Sequence, residues 1–165
     1  MIVADTSALI SLSIADCLDL TLAAFEVHTS TVVIEELEQT AESDDVHGRG
    51  ASVVLAQRDD LHAHDIENAD VQSSRIDRGE ASCLTLERTV GAGFLLTDDL
   101  RALSELQVLS EAAVAISPIL LRALVTRGVL TQAEAVDRLE TLAVSSDWLG
   151  APIYRKAREL FEDIE

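Results

Sequence analysis

Carboxylates stand in this chain at points where a short apolar run ends. Asp5 follows Ile2 and Val3, and Asp99 comes just after Gly91–Leu96, a turn with an apolar run. Such runs are typical of buried strands. Ligands of open α/β sheets bind beyond the C-terminal ends of the strands, so both acids are candidates for chemistry. The simpler alternative for Asp5 is capping of the next helix, because Asp is a common N-cap residue.

A third candidate acid lies in a predicted helix that follows the hydroxyls of Thr29–Thr31. Val33, Leu37 and Ala41 form the apolar stripe of this helix if it is regular. Glu36 lies at the margin of the stripe, whereas its neighbour Glu35 points farther outward. We therefore expect Glu36 to belong to a site and Glu35 to face solvent.

A fourth candidate, Glu80, opens the predicted helix Glu80–Arg88. It stands one turn from Cys83 and Leu84, on the inward side of the helix. An acid at a helix N-terminus is also favoured by the helix dipole, which is the alternative explanation for Glu80.

Strands and helices alternate along the chain and must position these acids. We predict strands around residues 2–3, 25–28, 61–64, 91–96 and 112–116, and helices at 8–12, 15–24, 32–41, 51–57, 80–88, 100–106, 118–125, 135–143 and from about 152 to Glu165. Thr6 or Ser7 is the expected cap of the first helix, and residues 41–50 are expected to form a loop.

This alternation predicts an α/β fold with three layers, α/β/α, around a central parallel sheet of 4–5 strands. At 165 residues the chain is long enough for one core of ordinary size. We expect one domain over residues 1–165, with a core at 1–116 that carries the acids and a helical C-terminal extension at 117–165.

In this layout the four acids converge on one edge of the sheet. Buried together they would repel one another, and burial would raise some of their pKa values. A divalent cation removes both problems, and carboxylate oxygens suit Mg²⁺ or Mn²⁺ better than zinc. His62 and His64, alternate residues of a predicted strand, are a weaker candidate for metal binding because no third ligand is evident.

The composition is strongly acidic, with a formal net charge of -18, and Lys156 is the only lysine. This charge disfavours attraction to nucleic acid or anionic lipid in dilute salt. Abundant Asp and Glu with almost no Lys resembles proteins of salt-accumulating organisms, and we hold a halophilic origin as a hypothesis. In molar salt the Debye length falls to ~3 Å, so net charge does not exclude a nucleic-acid substrate.

No apolar run approaches the ~20 residues of a membrane-spanning helix, and the N-terminus lacks the pattern of a targeting segment. We therefore expect a cytoplasmic protein that does not associate with membranes. Cys17 and Cys83 match no paired metal-ligand spacing and are expected to be buried thiols.

Four segments in order resemble the PIN-domain family of metal-dependent ribonucleases. They are Ile2-Val-Ala-Asp-Thr-Ser-Ala-Leu9, Val32-Val-Ile-Glu-Glu-Leu37, Asp77-Arg-Gly-Glu-Ala-Ser82 and Leu95-Leu-Thr-Asp-Asp-Leu-Arg101. Each is weak alone, but the ordered set is fairly specific and spans about the first two-thirds of the chain. Residues 117–165 look more loosely like the helical tail of a subgroup related to the toxins of VapBC-type toxin–antitoxin pairs.

The resemblance implies an endoribonuclease that uses Mg²⁺ or Mn²⁺, an RNA substrate, a homodimer and, for a toxin, an antitoxin protein. The implied metal ligands and catalytic residues are Asp5, Glu36, Glu80 and Asp99. The implied supporting residues are Thr6, Thr97 and Asp98. Arg101 is the candidate contact to a substrate phosphate, with Arg78 behind it; for Arg78 a simple surface role is favoured.

Two positions stay open. Asp77 competes with Glu80 for the third place in the acidic set, and Asp98 competes with Asp99 for the fourth, where the Thr-x-Asp spacing favours Asp99.

The main alternative function is a catalytically weak or inert PIN-like module that binds or regulates. Haloacid-dehalogenase-like phosphatases and receiver domains also place an aspartate after the first strand. Both are disfavoured, since the phosphatases need a second aspartate where Ser7 stands and both need a lysine, whereas Lys156 lies near the C-terminus.

Overall fold

A five-stranded parallel sheet forms the centre of the computed structural model, which describes residues 1–66, 69, 71 and 73–162. The strand order is β3-β2-β1-β4-β5. The strands are β1 (Ile2–Ala4), β2 (Val27–Ser30), β3 (His62–His64), β4 (Phe94–Leu96) and β5 (Ala113–Ala115). The predicted parallel sheet is confirmed.

The central strand β1 lies between β2 and β4. Ile2 pairs with Val27 on one side and with Phe94 on the other, and Ala4 pairs with Leu96. The chain therefore leaves β1 and β4 at the same level of the same edge, as the sequence predicted for Asp5 and Asp99.

Helices cover both faces of the sheet and complete a three-layer α/β/α fold. In the described residues these are α1 (Thr6–Ile14), α2 (Leu18–Ala24), α3 (Thr31–Thr40), α4 (Val46–Ala56), α5 (Arg78–Val90), α6 (Leu100–Leu109), α7 (Pro118–Thr126), α8 (Gln132–Ser145) and α9 (Pro152–Glu159), with a 3₁₀ turn at Arg58–Asp60. Helix α5 packs on β1, β2 and β4, and α1 packs against α2, α3, α4 and α8.

Apolar side chains of all these layers form one continuous core. Leu9, Leu37, Leu84, Leu95 and Leu106 are among its fully buried members. Helices α7 and α8 contribute to the same core, because Leu121, Leu124 and Leu139 are also buried. The segment 117–162 therefore packs onto the sheet domain rather than projecting from it.

The prediction of a loop at residues 41–50 is wrong for residues 46–50, which form the start of helix α4. Helix α4 begins at Val46, after the N-cap Asp45, whose Oδ1 accepts a bond of 2.8 Å from the Gly48 N–H. Gly48 and Gly50 lie inside this helix because they let it pack closely: a Cβ at position 50 would lie 3.2 Å from the side chain of Ile10 on α1.

Other local predictions shift by a few residues. Asp5 itself caps α1, not Thr6 or Ser7, and the expected helix at 15–24 starts only at Leu18. The second strand lies two residues later than predicted, at Val27–Ser30, because Thr29 and Ser30 belong to the strand. Ser30, its last residue, is the N-cap of the next helix.

Two predictions concern the last helices and the cysteines. The capping box of Thr131 and Glu134 is confirmed at the start of α8. The last helix ends at Glu159 instead of Glu165, and residues 163–165 lie outside the described part. Cys17 and Cys83 are confirmed as buried free thiols.

No single helix among the described residues has the length and apolar composition needed to cross a membrane. Helices α1 and α2 pass that test only as a pair, across a bend of 114°.

Candidate active site

A cavity of about 400 Å³ lies at the edge of the sheet where β1 and β4 end. It is lined by Asp5, Thr6, Ser7, Ile10, Glu36, Gln39, Thr40, His47, Asp77, Glu80 and Asp99. The structure thus brings the four predicted acids together with Asp77 around one space, which we call the acid cavity.

Asp5 is a nearly fully buried carboxylate of the acid cavity, with 4% of its surface exposed. Its Oδ1 accepts bonds of 2.8 Å from the Ala8 N–H and 2.7 Å from the Ser7 hydroxyl. Burial raises the pKa of Asp5 to about 7, against the lowering effect of hydrogen bonds from Thr97, Ala8 and Ser7. Asp5 therefore caps α1 and also lines the acid cavity.

Ser7 and Thr97 tie the ends of β1 and β4 together. The Ser7 hydroxyl lies 3.5 Å from that of Thr97 and accepts a bond of 2.8 Å from the Asp98 N–H. Thr97 is fully buried, and its Oγ1 accepts a bond of 3.2 Å from the Asp99 N–H. These bonds fix the backbone that carries Asp5 and Asp99.

Glu36 reaches the acid cavity from α3, which Ser30 caps by accepting a bond of 3.1 Å from the Val33 N–H. The Thr6 hydroxyl donates to Glu36 Oε2. Partial burial raises the pKa of Glu36, while the bond from Thr6 lowers it. The neighbouring Glu35 is exposed and pairs with Arg78 over 3.1 Å, outside the cavity.

Glu80 and Asp77 form a capping box at the start of α5. Asp77 Oδ1 accepts a bond of 2.8 Å from the Glu80 N–H, and Glu80 Oε2 accepts one of 2.9 Å from the Asp77 N–H. Burial raises the pKa of Glu80 to about 8, and the nearby charges of Asp77, Asp5 and Asp99 add to the rise. Glu80 is 4% exposed, whereas Asp77 is exposed, so Glu80 is the inner acid of the pair.

The adjacent residues Asp98 and Asp99 have different surroundings. Asp98 turns to Ser117, which donates its N–H and hydroxyl over 2.7 and 2.6 Å, so Asp98 joins β4 to the start of α7. Asp99 lines the acid cavity and is bonded by Arg101, from Nη2 to Oδ2 over 2.7 Å and from Nε to Oδ1 over 3.2 Å. These bonds lower the pKa of Asp99.

The donor chemistry of the acid cavity fits a hard divalent cation. Its carboxylates supply oxygen ligands, and burial makes the anionic forms of Asp5 and Glu80 unfavourable without a compensating positive charge. Among the described residues, however, no group of three or more His, Cys, Asp or Glu side chains is arranged to hold an ion. Each acid is instead bonded to a nearby donor: Asp5 to Ala8, Glu36 to Thr6, Glu80 to Asp77 and Asp99 to Arg101.

Sequence reasoning missed several residues around the acids. Ser7 was considered only as a helix cap, and Gly79 was not considered, although it lies directly against the Glu36 carboxylate. His47 lies in the segment that was expected to be a loop. The position of Ser7, two residues after Asp5, could have indicated a hydroxyl that donates to the Asp5 carboxylate. The contact of Gly79 with Glu36 could not be predicted, because it depends on how α3 and α5 pack.

The three histidines of β2 and β3 form a separate cluster. His28 Nδ1 lies 2.8 Å from His64 Nε2, and His28 Nε2 lies 3.0 Å from Glu26 Oε1. The His28 ring stacks with those of His62 and His64 at centroid distances of 4.8 and 5.0 Å. Stacked rings direct their nitrogens along parallel planes rather than toward one point, so this cluster is not arranged as a metal site.

A family model described as PIN domain covers residues 1–163 of the chain. No curated protein matches the chain at a significant level.

Proposed function

We propose that this chain, which belongs to the PIN-domain family, is an endoribonuclease that depends on Mg²⁺ or Mn²⁺. The observation that carries the proposal is the acid cavity, where Asp5 and Asp99 follow the ends of β1 and β4 and meet Glu36 from α3 and Glu80 from α5. A nuclease-type domain with four acids at this edge has the ligands that phosphodiester hydrolysis with a divalent cation requires.

The four acids would hold the cation. When bound, such an ion lowers the pKa of water and neutralises charge that develops on a phosphate. Ser7 and Ala8 hold Asp5 in place, Thr6 orients Glu36, and the capping box orients Glu80. These contacts fix the ligands before substrate arrives, which limits the reorganisation needed for catalysis.

Arg101 is the proposed contact to a phosphate of the substrate. Its side chain is 86% exposed and already lies beside Asp99. An arginine can bind a phosphate through two parallel hydrogen bonds. Exchange of the Asp99 carboxylate for a substrate phosphate would free Asp99 for the cation.

We further propose that the protein works in the cytoplasm as the toxin of a toxin–antitoxin pair and forms a homodimer. The support is the similarity of residues 117–165 to the tail of such toxins, together with Val129 and Val144, apolar residues of this segment that are 45% and 66% exposed. An antitoxin protein would then be its inhibitory partner. No membrane association is proposed.

A catalytically weak module that binds RNA or protein is the second candidate. Its support is the ion pair that occupies Asp99 and the lack of a ready-made group of three ligands among the described residues. The two candidates differ in turnover and not in fold.

The deciding experiment is an RNA-cleavage assay in molar KCl with Mn²⁺ or Mg²⁺, using a pool of labelled single-stranded RNAs. We expect cleavage by the wild type and a loss of at least about 100-fold with Asp5→Asn, since it removes a ligand. Asp59→Asn, an exposed acid outside the acid cavity, is the control and should cleave normally. No cleavage by the wild type, or full activity of Asp5→Asn, would reject the nuclease.

A further inference from the structure

A second cavity, of about 300 Å³, adjoins the acid cavity. Asp77 and Glu80 line both, and the rest of the second cavity is formed by Ser74, Arg75, Ile76 and Arg101. We call it the arginine cleft. Two arginines line this cavity, in a chain with only 12 Lys and Arg against 30 Asp and Glu.

Arg75 is presented to the arginine cleft by a tight turn. The Arg75 N–H donates to Ser73 Oγ over 3.1 Å, and Ser73 pairs with Ile76 in an antiparallel bridge. Ile76 is 8% exposed and belongs to the hydrophobic core. The backbone at Arg75 is therefore anchored on both sides, while its side chain stays exposed.

Arg101 lies in the first turn of α6, where a positive charge opposes the helix dipole. Its ion pair with Asp99 compensates for this position. The capping box draws one oxygen of Asp77 and one of Glu80 toward the backbone of α5. The arginines thus supply the positive side of the cleft and the acids form the wall shared with the acid cavity.

We propose that Arg75 and Arg101 bind a phosphodiester of single-stranded RNA, namely the phosphate next to the one that is cleaved. The inference rests on the proposed nuclease function and adds the path of the substrate. Guanidinium groups recognise phosphate through paired, charge-assisted hydrogen bonds. Because the two cavities share a wall, a strand that places one phosphate at the acids places a neighbouring phosphate at the arginines.

The test measures RNA binding by fluorescence anisotropy in the Asp5→Asn background with Mn²⁺, where the RNA stays intact. Arg75→Gln should raise the Kd of a short labelled RNA roughly tenfold, as expected for one lost charged contact. It should also reduce the slope of log K against log salt by about 0.7. Arg155→Gln, an exposed arginine of α9 at a different cavity, is the matched control and should bind like the parent.

A scan with single methylphosphonate substitutions identifies the contacted phosphate. Neutralising the contacted phosphate should weaken binding to the parent more than binding to Arg75→Gln, because that variant has already lost one of the two arginine contacts to it. Equal Kd values for Arg75→Gln and the parent, or no RNA binding by the parent, would overturn the proposal that the arginine cleft binds a phosphate.

Wild-type cleavage measured in parallel separates this inference from the nuclease function. If the wild type cleaves RNA and Arg75→Gln binds RNA as tightly as the parent, only the proposal for the arginine cleft is rejected. If the wild type does not cleave RNA but Arg75→Gln binds it more weakly than the parent, the nuclease function is rejected. Arg75 is then a residue of an RNA-binding module.

Discussion

Gly79 lies directly against the carboxylate of Glu36, so that a Cβ at position 79 would stand 2.7 Å from Glu36 Cδ. The first turn of α5 therefore approaches α3 closely only because residue 79 has no side chain. This contact sets where one acid of the cavity can lie.

Gly79→Ala should displace the Glu36 carboxylate without unfolding the protein. The atoms in the way are the end of a flexible side chain, and Ala is the better helix former, so we expect little change in Tm. The Kd for Mn²⁺ should rise roughly tenfold, as for other residues that position metal ligands. Calorimetric titration measures this change.

Gly93→Ala is the matched control for that experiment, because a Cβ at position 93 would meet only Met1 O, at 4.0 Å. It should bind Mn²⁺ like the wild type. An unchanged Kd in Gly79→Ala would show that Glu36 does not need its present position.

Asp98 and Asp99 should respond differently to substitution although they are adjacent. Asp98→Ala leaves the buried N–H of Ser117 without its acceptor, which costs about 1–3 kcal/mol of unfolding free energy. Asp99→Asn should change stability little but weaken Mn²⁺ binding. Chemical denaturation and calorimetry of both variants give the comparison. Weaker Mn²⁺ binding by Asp98→Ala, with normal binding by Asp99→Asn, would identify Asp98 instead of Asp99 as the metal ligand.

The stability of the cation-free protein should fall as the pH rises from about 4 to 8. Asp5 and Glu80 have pKa values of about 7 and about 8 in the folded protein, above the ordinary carboxyl range. The folded state therefore keeps protons that the unfolded chain loses. Each unit of difference between the folded and unfolded pKa values lowers the free energy of unfolding by about 1.4 kcal/mol once the protons are lost. This contribution is complete below pH 4 and is lost as pH passes through the raised values.

Denaturation in EDTA at pH 5 and pH 8, at constant molar KCl, tests this expectation. Asp5→Asn should flatten the pH dependence because Asn does not titrate, and Mn²⁺ at pH 8 should restore stability. Stability that is constant or rises over this range would show that the two acids are solvated normally.

Much of the fold follows from local patterns in the sequence. The runs before Asp5 and Asp99 are short and apolar, so the strands and the common edge of both acids were predictable. The capping box at Thr131 was also readable, because its bonds join residues three apart.

What was missed depends on contacts between distant elements. The polar, glycine-containing segment before Ala51 has the composition of a loop, yet Gly48 and Gly50 allow α4 to pack against its neighbours. The contacts of Asp98 with Ser117 and of Gly79 with Glu36 join separate helices and strands. No local pattern indicates such contacts.

The halophilic hypothesis predicts a strong effect of salt on stability. With a net charge of -18, the folded chain repels itself in dilute buffer, and added salt screens that repulsion. We expect Tm to rise by at least about 5 °C between 0.1 and 2 M KCl. Thermal melts followed by circular dichroism measure this. Unchanged Tm and solubility across this range would count against adaptation to salt.

The most direct test of the central claim, that the acid cavity holds a divalent cation, is Mn²⁺ titration calorimetry at high salt with Glu36→Gln and Glu35→Gln. The two residues are adjacent on α3, but Glu36 lines the acid cavity whereas Glu35 is exposed and pairs with Arg78. We predict that Glu36→Gln, like Asp5→Asn and Asp99→Asn, weakens Mn²⁺ binding at least about tenfold, while Glu35→Gln binds like the wild type. No binding by the folded wild type, or equal binding by both Glu variants, would contradict the account.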